Sequence, residues 1–208
     1  MISVLKRVSI AIFSVFVALS ISAQDKVLMT NGKILEGKVN AVNDDVISFS
    51  FPKGKKMKQI DLDSYRVFSI LYKGSEEKVI YVYDTLQDNH YTVEEMRYFV
   101  YGQQDAWRGY KPVFPIVLGG LIGGIGAYVI GDAFPVIAVP FASYLTTMLL
   151  TRTEIDVATV RNKKYLESKA YVDGYTRISQ AKKNRNALWG SLLGSAIGLS
   201  VAVLESSE

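Results

Sequence analysis

The residues of this chain that could do acid–base or nucleophilic chemistry are few, and their spacing fits none of the usual catalytic arrangements. Cysteine is absent, which excludes a thiol nucleophile, a thiolate metal site, a disulfide framework and a lipid attached through a lipobox cysteine. His90 is the only histidine and closes the polar stretch "DTLQDNH", where a solvent-exposed loop residue is expected rather than a base or ligand. The paired carboxylates Asp44-Asp45 and Glu76-Glu77 fall at expected turns, and Glu94-Glu95 falls at a helix start, all positions with structural uses for an acid. No GxSxG elbow, HExxH pair or P-loop occurs. The expectation is a protein that is not an enzyme, with no cofactor, no metal and no small-molecule substrate. A carboxylate-only hydrolase is the one enzymatic alternative left open.

The elements carrying these residues divide by charge. Lys6 and Arg7 precede the apolar run Val8 to Ile21, and Ser20, Ser22 and Ala23 follow as small residues. That is the anatomy of a secretory signal peptide over 1–23, cleaved between Ala23 and Gln24, with an uncleaved anchor as the alternative. Residues 24–92 hold ten basic and ten acidic side chains, 112–151 hold only Asp132, and 152–186 hold nine Lys or Arg against four Asp or Glu. The basic excess belongs to one late segment, so the folded domain lacks the footprint of a nucleic-acid binder.

From Lys26 to Tyr83, short β-rich runs alternate with turns, predicting a small β domain over 24–90. "KVLMT" leads into Asn31-Gly32, a pair that tolerates positive φ and marks a hairpin. In "KILEGKVNAV" alternation puts Leu35, Val39 and Ala41 on one face, and Gly37 sits where a strand bends or bulges. "VISFSF", "MKQIDL", "VFSILY" and "VIYVY" complete a meander or barrel of five or six strands. Lys53, Lys55, Lys56 and Lys58 crowd one turn, as a solvated tip or a contact for an anionic surface. The order "NGKILEGKVNAVNDDVISF" resembles the first three strands of SH3-like and Sm-like barrels. The resemblance implies their shape; the RNA-contacting motifs of the Sm family are not recognisable, and no nucleic-acid partner is expected.

Thr92 and Glu95 form a capping box that opens a juxtamembrane amphipathic helix within 91–111, running from Val93 to about Arg108. Met96, Phe99 and Val100 are expected to pack on the β domain, while Trp107 and Tyr110, with Trp189 later, match anchors at a bilayer interface. Residues 112–151 predict a glycine-rich membrane hairpin of two spans, "VFPIVLGGLIGGIGAYVIG" and "AFPVIAVPFASYLTTMLL", in which Pro115, Pro135 and Pro140 imply kinks or an irregular hairpin. A third span is expected at 187–204, before the tail 205–208. Gly119 with Gly123, Gly120 with Gly124, and the series Gly190, Gly194 and Gly198 recur every fourth residue. In lipid, where water expulsion does not drive helices together, such faces permit close backbone packing, and these seven glycines are the expected helix-packing sites.

The segment 152–186 is expected to form helices on either side of Asp173-Gly174, a basic amphipathic loop in which Arg177, Lys182, Lys183 and Arg185 contact anionic lipid. If residues 24–111 are exported and both hairpin segments cross, this basic loop lies outside, against the positive-inside tendency. A re-entrant or packed second helix leaving the loop cytoplasmic, an outer loop on anionic headgroups, or an outer-membrane location would each resolve the conflict. "YGQQDAWRGYK" and "YVDGYTRISQAKKNR" each precede a glycine-rich span, as in a faint internal repeat.

An exported SH3-like β domain, a "GQQDA" helix, a glycine-rich hairpin and "DGYTRISQAKKNRNALWGSLLG" together resemble uncharacterised cell-envelope membrane proteins of Gram-negative bacteria. The resemblance implies a cell-envelope protein, at the inner membrane with its β domain in the periplasm or at the outer membrane, and brings no activity with it. The expected function is a membrane-anchored binding or scaffold module. Its β domain would bind a protein or envelope component, and its glycine-faced helices would assemble a homo-oligomer or an envelope complex. The alternative is a small channel or transporter accessory subunit using Asp132.

Overall fold

The computed structural model of the chain describes residues 24–54, 56–85, 89–131 and 135–206. The expectations for the signal peptide, Lys55 and Asp132 lie outside the described residues. The protein is α+β, a six-stranded antiparallel sheet followed by four helices. It divides into two compact units, one through Val93 and one from Glu94.

The β unit comprises β1 (Asp25–Met29), β2 (Ile34–Val42), β3 (Val46–Lys53), β4 (Lys56–Asp63), β5 (Val67–Leu71) and β6 (Glu77–Val79). Their order is β4-β3-β2-β1-β5-β6, with every neighbour antiparallel. Strands β1 to β4 form a meander, and a 3-10 turn at Ser64–Arg66 carries β5 back to the free side of β1. Val27, Met29, Ile47, Phe49, Val67 and Ile70 make the buried core. Glycine is required at Gly37 on the core face because a Cβ there would lie 2.3 Å from the Ser50 carbonyl and 2.6 Å from the Phe49 ring.

Two expectations for the strands are corrected. The register shifts between Val39 and Ala41, so one extra residue reverses the alternation; Val42 packs against the core and Ala41 is exposed. The run "VIYVY" does not form a strand beyond Val79. The amides of Ile80 and Tyr81 both donate to the Phe68 carbonyl, at 2.9 and 3.0 Å, which ends the ladder and turns Tyr81 onto the Phe68 ring.

The helical unit contains α1 (Val93–Gly109), α2 (Val113–Ile130), α3 (Val139–Leu150) and α4 (Lys169–Ser206). The last is one uninterrupted helix of 38 residues, about 57 Å long at 1.5 Å per residue. The expected break at Asp173-Gly174 is absent. Gly174 serves close approach instead, since a Cβ there would lie 2.1 Å from the Phe99 carbonyl. The prolines mark helix beginnings rather than kinks. Pro115 lies in the first turn of α2, Pro135 opens a short 3-10 stretch and Pro140 opens α3, where the missing N–H has no helical partner to lose.

Helices α1 and α2 follow each other along α4 and run parallel to it. Gly190, Gly194 and Gly198 face Ile116, Gly120 and Gly124, and Asn186 donates to the Pro112 carbonyl at 3.0 Å, each pair 74 residues apart. The contacts are reciprocal: Gly119 faces the Ala187 carbonyl as Gly190 faces that of Ile116, and Gly123 faces Ser191 as Gly194 faces Gly120. In the polar half Gly102 faces the Tyr171 carbonyl as Gly174 faces that of Phe99. Such reciprocity is a local two-fold relation between α1–α2 and α4.

Helix α3 runs the other way. Val139 lies against Gly126, Ser143 donates to the Gly119 carbonyl at 2.9 Å and contacts the Ser191 hydroxyl at 3.0 Å, and Lys183 reaches the Thr151 carbonyl. Consequently α1, the segment 151–168 and the first half of α4 share one end of the unit. The re-entrant arrangement with the basic loop at the opposite end does not occur.

Candidate functional site

At the polar end of the helical unit a single carboxylate ties three segments together. Asp105 of α1 is fully buried. Tyr171 of α4 donates its hydroxyl to Oδ2 at 2.8 Å, and the Arg161 backbone N–H donates to the same oxygen at 3.0 Å. Oδ1 accepts from Arg161 Nε at 2.9 Å and from Arg108 Nη2 at 3.0 Å. A buried carboxylate requires such saturation, because an unpaired one costs several kcal/mol. The Arg161 guanidinium also lies 4.6 Å from the Tyr101 ring centroid, and its Nη2 donates to Gln104. Tyrosines 98, 101, 165, 171 and 175 pack around this group with ring centroids 5.3–6.5 Å apart. Burial first, then the hydrogen bond to Asp105 and its charge, hold the Tyr171 phenol protonated well above the ordinary tyrosine range.

One level further along α4 the lysines turn inward. Lys182 donates to the carbonyls of Ala106, Trp107 and Tyr110, which close α1. Lys183 is buried and donates at 2.8 Å to the carbonyl of Thr151, the residue that caps α3. A cation at a helix C-terminus satisfies carbonyls without intrahelical partners and complements the dipole. Burial, followed by repulsion from Arg185 and Lys111, holds the Lys182 pKa below the usual lysine value. Of the four basic residues expected at lipid, Arg177 lies at the Phe99 ring, its guanidinium carbon 6.0 Å from the centroid, and Arg185 is exposed. Trp107 and Trp189 are exposed, whereas Tyr110 packs edge-on to Tyr175.

Beyond this level the unit is inverted relative to a protein in water. Gly119, Gly123, Gly190, Gly194, Gly198, Ser143, Ser191 and Ser195 are inside. Phe114, Leu121, Ile125, Val129, Phe141, Leu149, Ile197 and Leu204 are all exposed. A Cβ at Gly194 or Gly198 would lie 2.0 Å from a carbonyl oxygen of α2, whereas one at Gly120 would meet its nearest neighbour at 3.6 Å and one at Gly124 at 3.3 Å. The first two glycines are dictated by contact between the backbones; Gly120 is not. Two helices, α2 and α4, are long and apolar enough to cross a membrane. Helix α3 is shorter than the expected second span, because 135–138 are 3-10 and the α-helix begins at Val139.

The β unit contributes a separate concavity of about 710 Å³. Asp44, Asp45, Asp63, Asp84, Tyr65 and Tyr81 lie on its wall. The geometry is set by Ser64, whose N–H and hydroxyl donate to the carbonyls of Asp45 and Asp44 at 2.9 and 2.6 Å, drawing the 3-10 turn against the β2–β3 turn. Asp84 and Asn89 close the other side through reciprocal backbone bonds. The exposed lysines 53, 56 and 58 sit at the far end of the β3–β4 hairpin, which is therefore polarised along its length. His90 is exposed. Among the described residues, no group of three or more His, Cys, Asp or Glu is placed to hold a metal ion.

No protein-family model, curated protein or solved structure matches the chain. Sequence reasoning overlooked Asp105 and Arg161. The only signal was a lone acid within "GQQDAW", three residues before Arg108 on the second half of α1.

Proposed function

We propose that the protein is a membrane-anchored binding or scaffold module of the cell envelope. The inverted half of the helical unit carries this reading. Large apolar side chains outside, with glycine and serine inside, suit hydrocarbon surroundings, where helices associate through close backbone packing rather than water expulsion. The strand order, with a 3-10 turn before β5 and β5 paired to β1, supports an SH3-like reading of the β unit. Its acid-lined concavity with two tyrosines fits a cationic group on a protein or envelope partner. The channel alternative draws less support, since the serine-lined interior gives way to an apolar cluster of Ala127, Val136, Val139 and Leu199.

With the β unit exported, the parallel course of α2 and α4 and the antiparallel α3 support a topology with 151–168 on the periplasmic side beside α1 and the end of α4 in the cytoplasm. Reporters fused after Tyr110 and Tyr165 should give periplasmic signals, and those after Gly131 and Ser206 cytoplasmic ones. Crosslinking in membranes should yield discrete complexes that weaken in the Asp44→Asn/Asp63→Asn variant. A full chain that stays monodisperse in buffer without detergent would refute the membrane reading, and a lone monomer in membranes the scaffold reading.

A further inference from the structure

The α1–α2 junction and the middle of α4 bring cations together with no acid among them. Lys182 and Asn186 donate to the carbonyls of Tyr110 and Pro112, on either side of Lys111, so this residue of the α1–α2 link lies beside the turn of α4 that carries Arg185. Lys111 and Arg185 are both exposed, and neither has an ion pair among the described residues. Lys182 stands beside them, but its three N–H donors are engaged by the α1 carbonyls, and it cannot turn outward without releasing them. Both repel Lys182, whose pKa is lowered by burial and then by Arg185 and Lys111. One turn further on, Phe114 and Trp189 are exposed, each more than half accessible, and the apolar surface of α2 and α4 begins.

We propose that Lys111 and Arg185 form a clamp for the phosphate of an anionic phospholipid whose acyl chains lie on the adjoining α2–α4 surface. Two exposed cations without acids match a phosphodiester, and the apolar surface starting one turn away matches the rest of a lipid. An anion between them offsets the repulsion that the fold otherwise leaves uncompensated. The clamp rests on the membrane reading above and identifies which basic residues meet the headgroup: Lys111, beside the interface anchor Tyr110, together with Arg185, and not Lys182 or Lys183.

The test uses the full chain in nanodiscs of phosphatidylcholine containing a minor share of phosphatidylglycerol, with lipid retained after release into detergent read by native mass spectrometry. The wild type should retain phosphatidylglycerol, and Lys111→Met/Arg185→Met should retain about thirty-fold less, from roughly fivefold per cation near an anionic surface. Arg177→Met should retain it like the wild type. Equal retention by the double variant overturns the clamp, as does displacement of the lipid by millimolar inorganic phosphate, which would mark a free-anion site. Insertion into nanodiscs with no lipid preference defeats the clamp alone, whereas failure to insert at all defeats the membrane reading beneath it.

Discussion

Lys182 and Lys183 are neighbours in sequence and close two different helices: the first donates to the last carbonyls of α1, the second to the Thr151 carbonyl at the end of α3. One step along α4 rotates the side chain by about 100°, enough to send adjacent ammonium groups to opposite neighbours. Either lysine changed to Met leaves helix-terminal carbonyls without their donor. Each variant should lose about 1–3 kcal/mol in detergent-solubilised unfolding. Arg185→Met, exposed and outside these bonds, should stay within about 0.5 kcal/mol; equal losses in all three would remove the capping role.

The glycines of α2 and α4 should respond unequally to a single methyl. Gly194→Ala places a Cβ 2.0 Å from the Gly120 carbonyl and should destabilise by about 1–3 kcal/mol, as overpacking does. Gly120→Ala meets nothing closer than 3.6 Å and should be neutral or stabilising, because alanine is favoured by about 1 kcal/mol within a helix. Melting temperatures in one detergent decide the matter, and a reversed ranking would show that the packing differs in solution.

Removing the Asp105 carboxylate should release the segment 151–168. Asp105→Ala strands Arg161 and Tyr171 and should cost about 3 kcal/mol, the lower range for breaking a buried pair. Limited trypsin digestion should then cut after Arg161 well before the wild type is cut. An unchanged digestion pattern would mean that the aromatic packing alone retains the segment.

Tyr171 predicts an alkaline limit to stability. Its folded pKa is raised, by burial first and by Asp105 next, so its contribution is fully present below the unfolded tyrosine value of about 10. Above that value the unfolded chain ionises while the folded one does not, and stability falls as pH rises. Tyr171→Phe should show a shallower decline between about pH 10 and 11, although it is less stable at neutral pH through the lost hydrogen bond. Parallel slopes in the two proteins would place the titrating group elsewhere.

Local chemistry settled much of this protein. The β-rich alternation and Asn31-Gly32 foretold strands, and the structure joins β1 to β2 there with Gly32 at φ 77°. The start of α1 and the uncharged run of α2 were equally legible, since propensity and hydropathy act within a few residues of chain. Tertiary structure decided what depended on a distant neighbour. Asp173-Gly174 reads as a break in isolation, whereas the helix runs through it and Gly174 lets the Phe99 carbonyl approach where a Cβ would lie 2.1 Å away. Lys182 and Lys183 read as lipid contacts and turn inward because two other helices end beside them. Asp105 carries no mark in the sequence, and it is buried where Arg161, 56 residues on, returns to meet it. A side chain's type is written in the chain, but the partner that satisfies it is set by which elements the fold brings alongside.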